Sequence, residues 1–196
     1  MKRTMLLLVP ALVLLLFGAA SAEAPERTGV RYFTPLSPDG EIAADLQVDA
    51  EAEGECFAPS LASPGRPDAW RCSAGNRILE PCFGAPAGQD DAVRLACAGD
   101  PFGGEITMLT LSEELPASAE PATEALPWAV ELGNSERCTL LTGATASLAG
   151  KRIDYGCEGG GVVAGGVNRS GPVWTVLYQA KGDAYLEQVP VERAWY

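Results

Sequence analysis

The chain has 196 residues, with 26 acidic and 14 basic side chains for a net charge of −12, and it contains no histidine. A field of that sign repels polyanions, which argues against nucleic acid and anionic lipid as partners. The missing imidazole rules out Ser-His-Asp and Cys-His nucleophiles, histidine metal ligands and imidazole proton shuttles.

The N-terminus combines Lys2 and Arg3, an apolar run from Met5 to Phe17, and the small-x-small ending Ala22-Glu23-Ala24. Together they describe a secretory signal peptide over residues 1–24. The apolar run is short of the roughly twenty residues that span a bilayer as a helix. Cleavage after Ala24 is therefore expected, rather than retention as an anchor. No cysteine stands at the cleavage point, which argues against a lipoprotein, and no second long apolar segment follows. The expected location is the medium or the extracytoplasmic cell envelope, with no stable membrane insertion. All six cysteines, Cys56, Cys72, Cys82, Cys97, Cys138 and Cys157, lie beyond the signal. In an exported chain they read as a framework of three disulfides. Their shortest gap, Cys72 to Cys82, is too wide for the close pairs of a zinc site, and no metal or other cofactor is expected.

Residues 25–54 read as an acidic, extended lead-in: between Tyr32 and Gly65 there are acids from Asp39 to Glu55 and no Lys or Arg. Within it, Ile42 and Leu46 stand four apart, so Glu41 to Glu53 is a candidate short helix. From Cys56 onward the signals are short β-prone runs cut by Gly, Pro, Asn and Asp. Residues 55–114 hold Ala69–Cys72, Arg77–Leu79, Val93–Cys97 and Glu105–Leu111. Residues 115–127 carry three prolines and read as a Pro/Ala-rich linker. Residues 128–196 hold Trp128–Leu132, Arg137–Leu141, Arg152–Cys157, Val173–Ala180 and Tyr185–Val191. Gly133-Asn134-Ser135 and Lys181-Gly182-Asp183 supply hairpin turns within that last segment. The fold class expected is all-β: two small disulfide-stapled antiparallel β units, free to pack as one body.

The two halves share a local pattern. Trp70 stands two before Cys72, and Tyr155 two before Cys157, each on the strand face of its cysteine. An earlier cysteine, Cys56 or Cys138, precedes each group. That parallel suggests Cys56–Cys72 and Cys138–Cys157, leaving Cys82–Cys97, among the fifteen pairings that six cysteines allow. The segments Asp68-Ala69-Trp70-Arg71-Cys72, Gly75-Asn76-Arg77-Ile78, Pro81-Cys82-Phe83, Pro127-Trp128-Ala129-Val130, Leu141-Thr142-Gly143-Ala144-Thr145 and Pro172-Val173-Trp174-Thr175-Val176 together resemble uncharacterised exported proteins of Gram-positive bacteria. The resemblance covers most of residues 55–196. It implies a cysteine framework and no particular activity.

Candidate chemistry is sparse. Ser147 stands four before Lys151, whereas penicillin-recognising enzymes need three. The glycines at 159–161, 165–166, 143 and 150 miss the phosphate-loop spacing and read as turns or bulges. The acids Asp39-Gly40-Glu41, Asp90-Asp91 and Glu113-Glu114 match no calcium loop. Among the aromatics, Trp174 reads as core, Trp70 as packed on a disulfide, and Trp195 as the least obviously buried. Trp195 and Trp70 are the candidate binding aromatics, since a flat ring can stack on a sugar or anchor a protein partner. No catalytic set emerges, so the chain is not expected to be an enzyme. The expected role is a non-catalytic binding or structural module of the envelope or medium, with a protein or glycan partner. The alternatives are a His-free carboxylate hydrolase, and an exported protease inhibitor presenting Ser60–Pro67.

Overall fold

The computed structural model describes residues 25–84, 93–117 and 125–196; the signal-peptide reading, Asp90-Asp91 and the middle of the linker lie outside them. The described residues form thirteen strands and no helix. None of them builds a helix long and apolar enough to cross a membrane. The strands close into two small barrels.

The first barrel is built from β2 (Gln47–Pro59), β3 (Ala69–Ala74), β4 (Arg77–Gly84), β5 (Arg94–Cys97) and β6 (Glu105–Leu111). Each strand pairs antiparallel with the next. Because five strands is an odd number, β6 ends up running in the same direction as β2, and the closing pair is parallel. At 13 residues, β2 is long enough to do two jobs. Its first half closes on β6 and its second half pairs with β3.

The second barrel uses β7 (Ala129–Leu132), β8 (Arg137–Leu140), β10 (Lys151–Cys157), β11 (Val162–Asn168), β12 (Thr175–Gln179) and β13 (Glu187–Trp195), with the short β9 (Ser147–Leu148) paired to β10. Six strands is an even number, so β13 closes on β7 antiparallel. The hairpins β7–β8 and β12–β13 are those the turn residues suggest. β1 (Gly29–Arg31) lies parallel to the end of β13, beyond the point where β12 stops pairing with it.

Two expectations are corrected. The Glu41–Glu53 segment is not helical: its second part is β2, and Leu36 and Ile42 form an isolated bridge. The acids set the period. Glu51, Glu53 and Glu55 are exposed while Ala52, Gly54 and Cys56 between them are half-buried, an alternation that fits a strand and not a helix. β2 therefore starts within the stretch that reads as acidic lead-in. The second correction is β11, a strand hidden by its glycines. Gly165 and Gly166 sit at φ of 80° and 72° in a bulge opposite β12, a conformation glycine adopts without a Cβ penalty.

The bridges are Cys56–Cys72, Cys82–Cys97 and Cys138–Cys157. Each joins residues directly opposite one another on neighbouring antiparallel strands. Two of them, with Trp70, Leu95 and Leu109, fill the first barrel's interior. Tyr155 and Cys138 do the same in the second, among Val130, Leu132, Val163 and Val191. The shared aromatic-x-cysteine pattern thus places a ring and a sulfur together in each core.

The barrels form one body through a third cluster. Phe33, Phe83 and Trp128 meet with ring centroids 5.3 to 5.7 Å apart. Phe33 comes from the segment after β1, Phe83 from the first barrel and Trp128 from the entry to the second. Leu36, Ala69, Ala96, Ile106 and Met108 pack around them. The Phe33 N–H donates to the Tyr196 carbonyl at 2.8 Å and the Tyr196 N–H to the Arg31 carbonyl at 2.9 Å. The segment is thereby stitched to the end of β13 before it crosses the first barrel's outer face.

Gly54 sits where β2 crosses β3, and a Cβ there would lie 2.0 Å from the Ser73 carbonyl oxygen. Gly54→Ala is expected to lower stability by roughly 1–3 kcal/mol through backbone displacement. Gly99→Ala, which meets nothing within 4 Å, should be nearly neutral. Chemical denaturation of both variants checks the contrast, and equal midpoints would refute it.

Candidate functional site

A cleft of about 360 Å³ opens at the seam between the barrels, lined by Val30, Tyr32, Gly65, Arg66, Ala125, Arg169, Trp174 and Tyr196. Its volume lies within the range of small-ligand sites. Among the described residues, no carboxylate side chain lines it, although acids outnumber bases 26 to 14 in the chain.

The two guanidiniums are held differently. Arg66 is committed: Nε donates to Asp68 Oδ1 at 2.7 Å, Nη2 to Asp68 Oδ2, and Nη1 to the Phe33 and Tyr196 carbonyls at 2.8 and 3.3 Å. Its charge is neutralised by Asp68, and its plane lies 4.9 Å from the Phe83 ring centroid. Arg169 follows β11 in the turn Asn168-Arg169-Ser170-Gly171 and donates through Nη2 to the Ala125 carbonyl. Its guanidinium sits 5.1 Å over the Trp174 ring and 5.8 Å from that of Tyr196. Among the described residues it has no ion-pair partner, and its Nε and Nη1 make no hydrogen bond. Tyr32, 67% exposed, packs on Tyr196 at 5.9 Å.

The cleft walls are anchored from below. Thr28 is buried; its hydroxyl donates to the Val191 carbonyl at 2.7 Å and accepts from the Trp174 N–H at 2.8 Å. Beneath lies Tyr155, fully buried, its hydroxyl donating to the Pro127 carbonyl at 2.8 Å. Burial pushes its phenol well above the ordinary range; the Tyr196 phenol and Asp154 push the same way, and the Arg169 charge opposes them. Burial also raises Tyr196, again against Arg169.

The buried carboxylates are engaged in structural bonds. Glu80, with a side chain only 6% exposed, lies 3.2 Å from Arg71 Nε. It accepts from the Leu61 and Ala62 N–H groups and from the hydroxyls of Ser60 and Thr142. Thr142 lies in the second half, so Glu80 ties the two barrels together. Asp154 pairs with Arg152 at 2.6 Å and accepts from the Gly166 N–H at 2.7 Å, which holds the β11 bulge in place. Arg152 Nη2 in turn donates to the Leu141 and Gly143 carbonyls, each at 3.0 Å.

Trp70 is in the first barrel's interior with its indole N–H donating to the Pro116 carbonyl at 3.3 Å. Trp195 is half-buried at the far side of the seam. Its indole N–H donates to Glu131 Oε1 at 2.9 Å, and its ring stands perpendicular to Phe102 at 6.3 Å. Both therefore use their polar edge inside the molecule. Trp174, expected to be core, precedes β12 and is partly buried; it packs against the second barrel's core and also forms a cleft wall. The Ser60–Pro67 loop turns inward, with Ser60, Ala62 and Ser63 buried and Ser60 Oγ accepting from the Ala62 and Ser63 N–H groups. Ser147 lies opposite Arg152 across a two-residue strand pair, and Leu148 opposite Lys151. No group of three or more His, Cys, Asp or Glu side chains suited to a metal ion occurs among the described residues.

The cleft pair Arg169 and Trp174 escaped sequence reasoning. The only local signal was an arginine in a Ser-Gly-Pro turn five residues before a tryptophan. Tyr32 and Tyr196 reach the cleft through contacts between segments more than a hundred residues apart.

Two outcomes follow from the buried groups. Glu80→Ala leaves Arg71 without its counter-charge and two N–H groups without an acceptor, and should cost on the order of 3 kcal/mol in urea unfolding. An unchanged midpoint would remove Glu80 from its linking role. For Tyr155, the raised folded-state pKa means that its stabilising effect is complete below the ordinary phenol value of 10.0 and is lost above it, as the unfolded chain ionises first. Tyr155→Phe should cost about 1 kcal/mol at neutral pH while flattening the fall in stability above pH ~10. Parallel alkaline limbs in the two proteins would contradict this.

In comparisons with known proteins, no family model, no curated protein and no solved structure matches this chain.

Proposed function

We propose that the protein is an exported, non-catalytic binding module whose seam cleft takes a ligand carrying a carboxylate beside a ring, either an acidic sugar or a peptide ending in an aromatic residue. The observation that carries this reading is the cleft's composition: guanidiniums and aromatic rings, with no acidic side chain among the described lining residues, on a strongly acidic chain. An arginine presents a planar fork of donors that matches a carboxylate. Stacking on Trp174 and Tyr196 fixes the plane of the Arg169 guanidinium. Tyr32 and Tyr196 offer ring faces beside it. The net negative field is screened beyond about 8 Å at physiological salt, so one carboxylate reaching Arg169 is tolerated where a polyanion is repelled. Export rests on the charged and apolar N-terminus, and on three disulfides that require an oxidising compartment.

The test is a titration of the isotope-labelled protein with two probes, a short uronic-acid oligosaccharide and a peptide with a free C-terminal phenylalanine. Saturable shifts at Tyr32, Arg169, Trp174 and Tyr196 are expected with at least one probe. Arg169→Met and Trp174→Ala should each weaken that binding by about tenfold or more, with little change in the unfolding transition for Arg169→Met and a lowered one for Trp174→Ala, whose ring also packs on the second barrel's core. If neither probe moves these residues, the cleft reading fails.

A further inference from the structure

A second surface lies away from the cleft, on the outer side of β2, β3 and β4. Phe57 is 50% exposed, Leu61 52%, Ile78 53% and Leu141 36%. They surround one ion pair. The Arg71 guanidinium lies 5.8 Å from the centroid of the Phe57 ring and its Nε 3.2 Å from Glu80. Glu80 accepts from the Leu61 N–H and from the Thr142 hydroxyl, next to Leu141. Ile78 stands opposite Ser73 on β3, and Ser73 opposite Glu55 on β2, so Ile78 and Glu55 share one cross-strand row. The centre of the patch is therefore apolar and internally neutralised.

Its border along β2 is acidic, whereas the Leu141 side carries Arg152, which donates to the Leu141 carbonyl. Glu51, Glu53 and Glu55 project from alternate positions of β2 and lead along the strand to Phe57. Only Glu51 has an ion-pair partner among the described residues, Arg94 at 3.7 Å, and that pair is exposed and weak. Alternate residues of a strand are about 7 Å apart. An extended segment with basic side chains at every second position has the same repeat, so its cations align with the carboxylates as its next apolar side chain reaches Phe57, with Ile78 flanking the segment in the Glu55 row. A second copy of this chain does not fit, since it would set Glu53 and Glu55 against like charges on a chain of net −12.

We infer that this outer face of the first barrel is a docking surface for a partner protein's extended segment in which alternate residues are basic and then apolar. Apolar contact at the centre supplies affinity, and the acidic border supplies register and association rate. The surface is separate from the seam cleft and stands whether or not the cleft binds a carboxylate.

The probe is the peptide Lys-Thr-Lys-Thr-Lys-Thr-Leu-Thr-Leu, together with its reversed sequence, titrated into the full labelled protein. Saturable shifts at Glu53, Glu55, Phe57 and Ile78 are expected for one of the two, with affinity falling as salt rises. Phe57→Ser, Ile78→Ser and the double variant Glu53→Lys/Glu55→Lys should each weaken binding by about tenfold or more, whereas Arg169→Met should leave it unchanged. The two apolar variants, tested separately, guard against a folding defect in either. The inference is overturned if neither peptide binds, if shifts map to the cleft, if a peptide with Glu in place of Lys binds equally well, or if dilution shows self-association through these residues.

Discussion

The contact among Phe33, Phe83 and Trp128 sets the arrangement of the molecule. Each barrel closes on itself, and the one added edge strand among the described residues, β1, pairs with β13 of the second barrel and not with the first. A small barrel has its own interior, here filled by disulfides and large rings (Trp70 in the first, Tyr155 and Tyr178 in the second), so the two are joined by what lies outside them. Phe33 supplies that link because the segment around it is fastened on one side to the end of β13 and on the other to the first barrel's outer face. Three tilted rings bury a large apolar area in the geometry aromatic pairs prefer. Glu80, bonded to Thr142 across the seam, and Phe102, packed on Trp195, fix the orientation about that contact. The cleft is a consequence: two convex barrels touching at a seam leave a concavity beside it, walled by Trp174 and Tyr196, which also pack against the second barrel's core.

The staples suit barrels of this size. The first barrel has a single tryptophan and two fully buried leucines among small residues inside, with Leu79, Leu111 and Leu115 packed partly buried against them. Its two bridges restrict the unfolded chain, each contributing roughly 2–4 kcal/mol by the usual estimate. They also occupy interior volume as apolar groups. Each joins residues already opposite in register, so it reinforces the strand pairing and adds no new long-range fold constraint. The constraint that closes the barrels comes from strand parity and from the length of β2.

Polar groups inside the body follow a consistent rule. Glu80 and Asp154 accept from backbone N–H groups that the irregular segments leave unpaired, and each carries an arginine as counter-charge. Both stand at breaks in the ladder: Glu80 beside the irregular register of β3 and β4, Asp154 between bulged stretches of β10 and β11. A buried carboxylate satisfied in this way stabilises a bulge that β-sheet hydrogen bonds cannot reach. Such groups are structural, and the recognition proposed for this protein is placed elsewhere, at the seam cleft and the β2–β4 outer face.

Local sequence was sufficient for much of the chain. Alternating apolar residues and turn signals located most strands of the two barrels, and the aromatic two before a cysteine located the ring and sulfur of each core, because a strand's period of two is written in adjacent residues. β2 was misread because its acids drew attention to charge and its small residues gave a faint apolar alternation. β11 was missed because Gly165 and Gly166, which serve a bulge, look in sequence like a break. The cleft was not legible at all. Val30, Tyr32, Arg66, Arg169, Trp174 and Tyr196 come from four separate segments and converge only once β1 lies along β13 and Phe33 closes the seam. Side-chain periodicity is a property of a few neighbouring residues and so is fixed by sequence, whereas which faces meet depends on how two closed barrels pack, which no local pattern encodes.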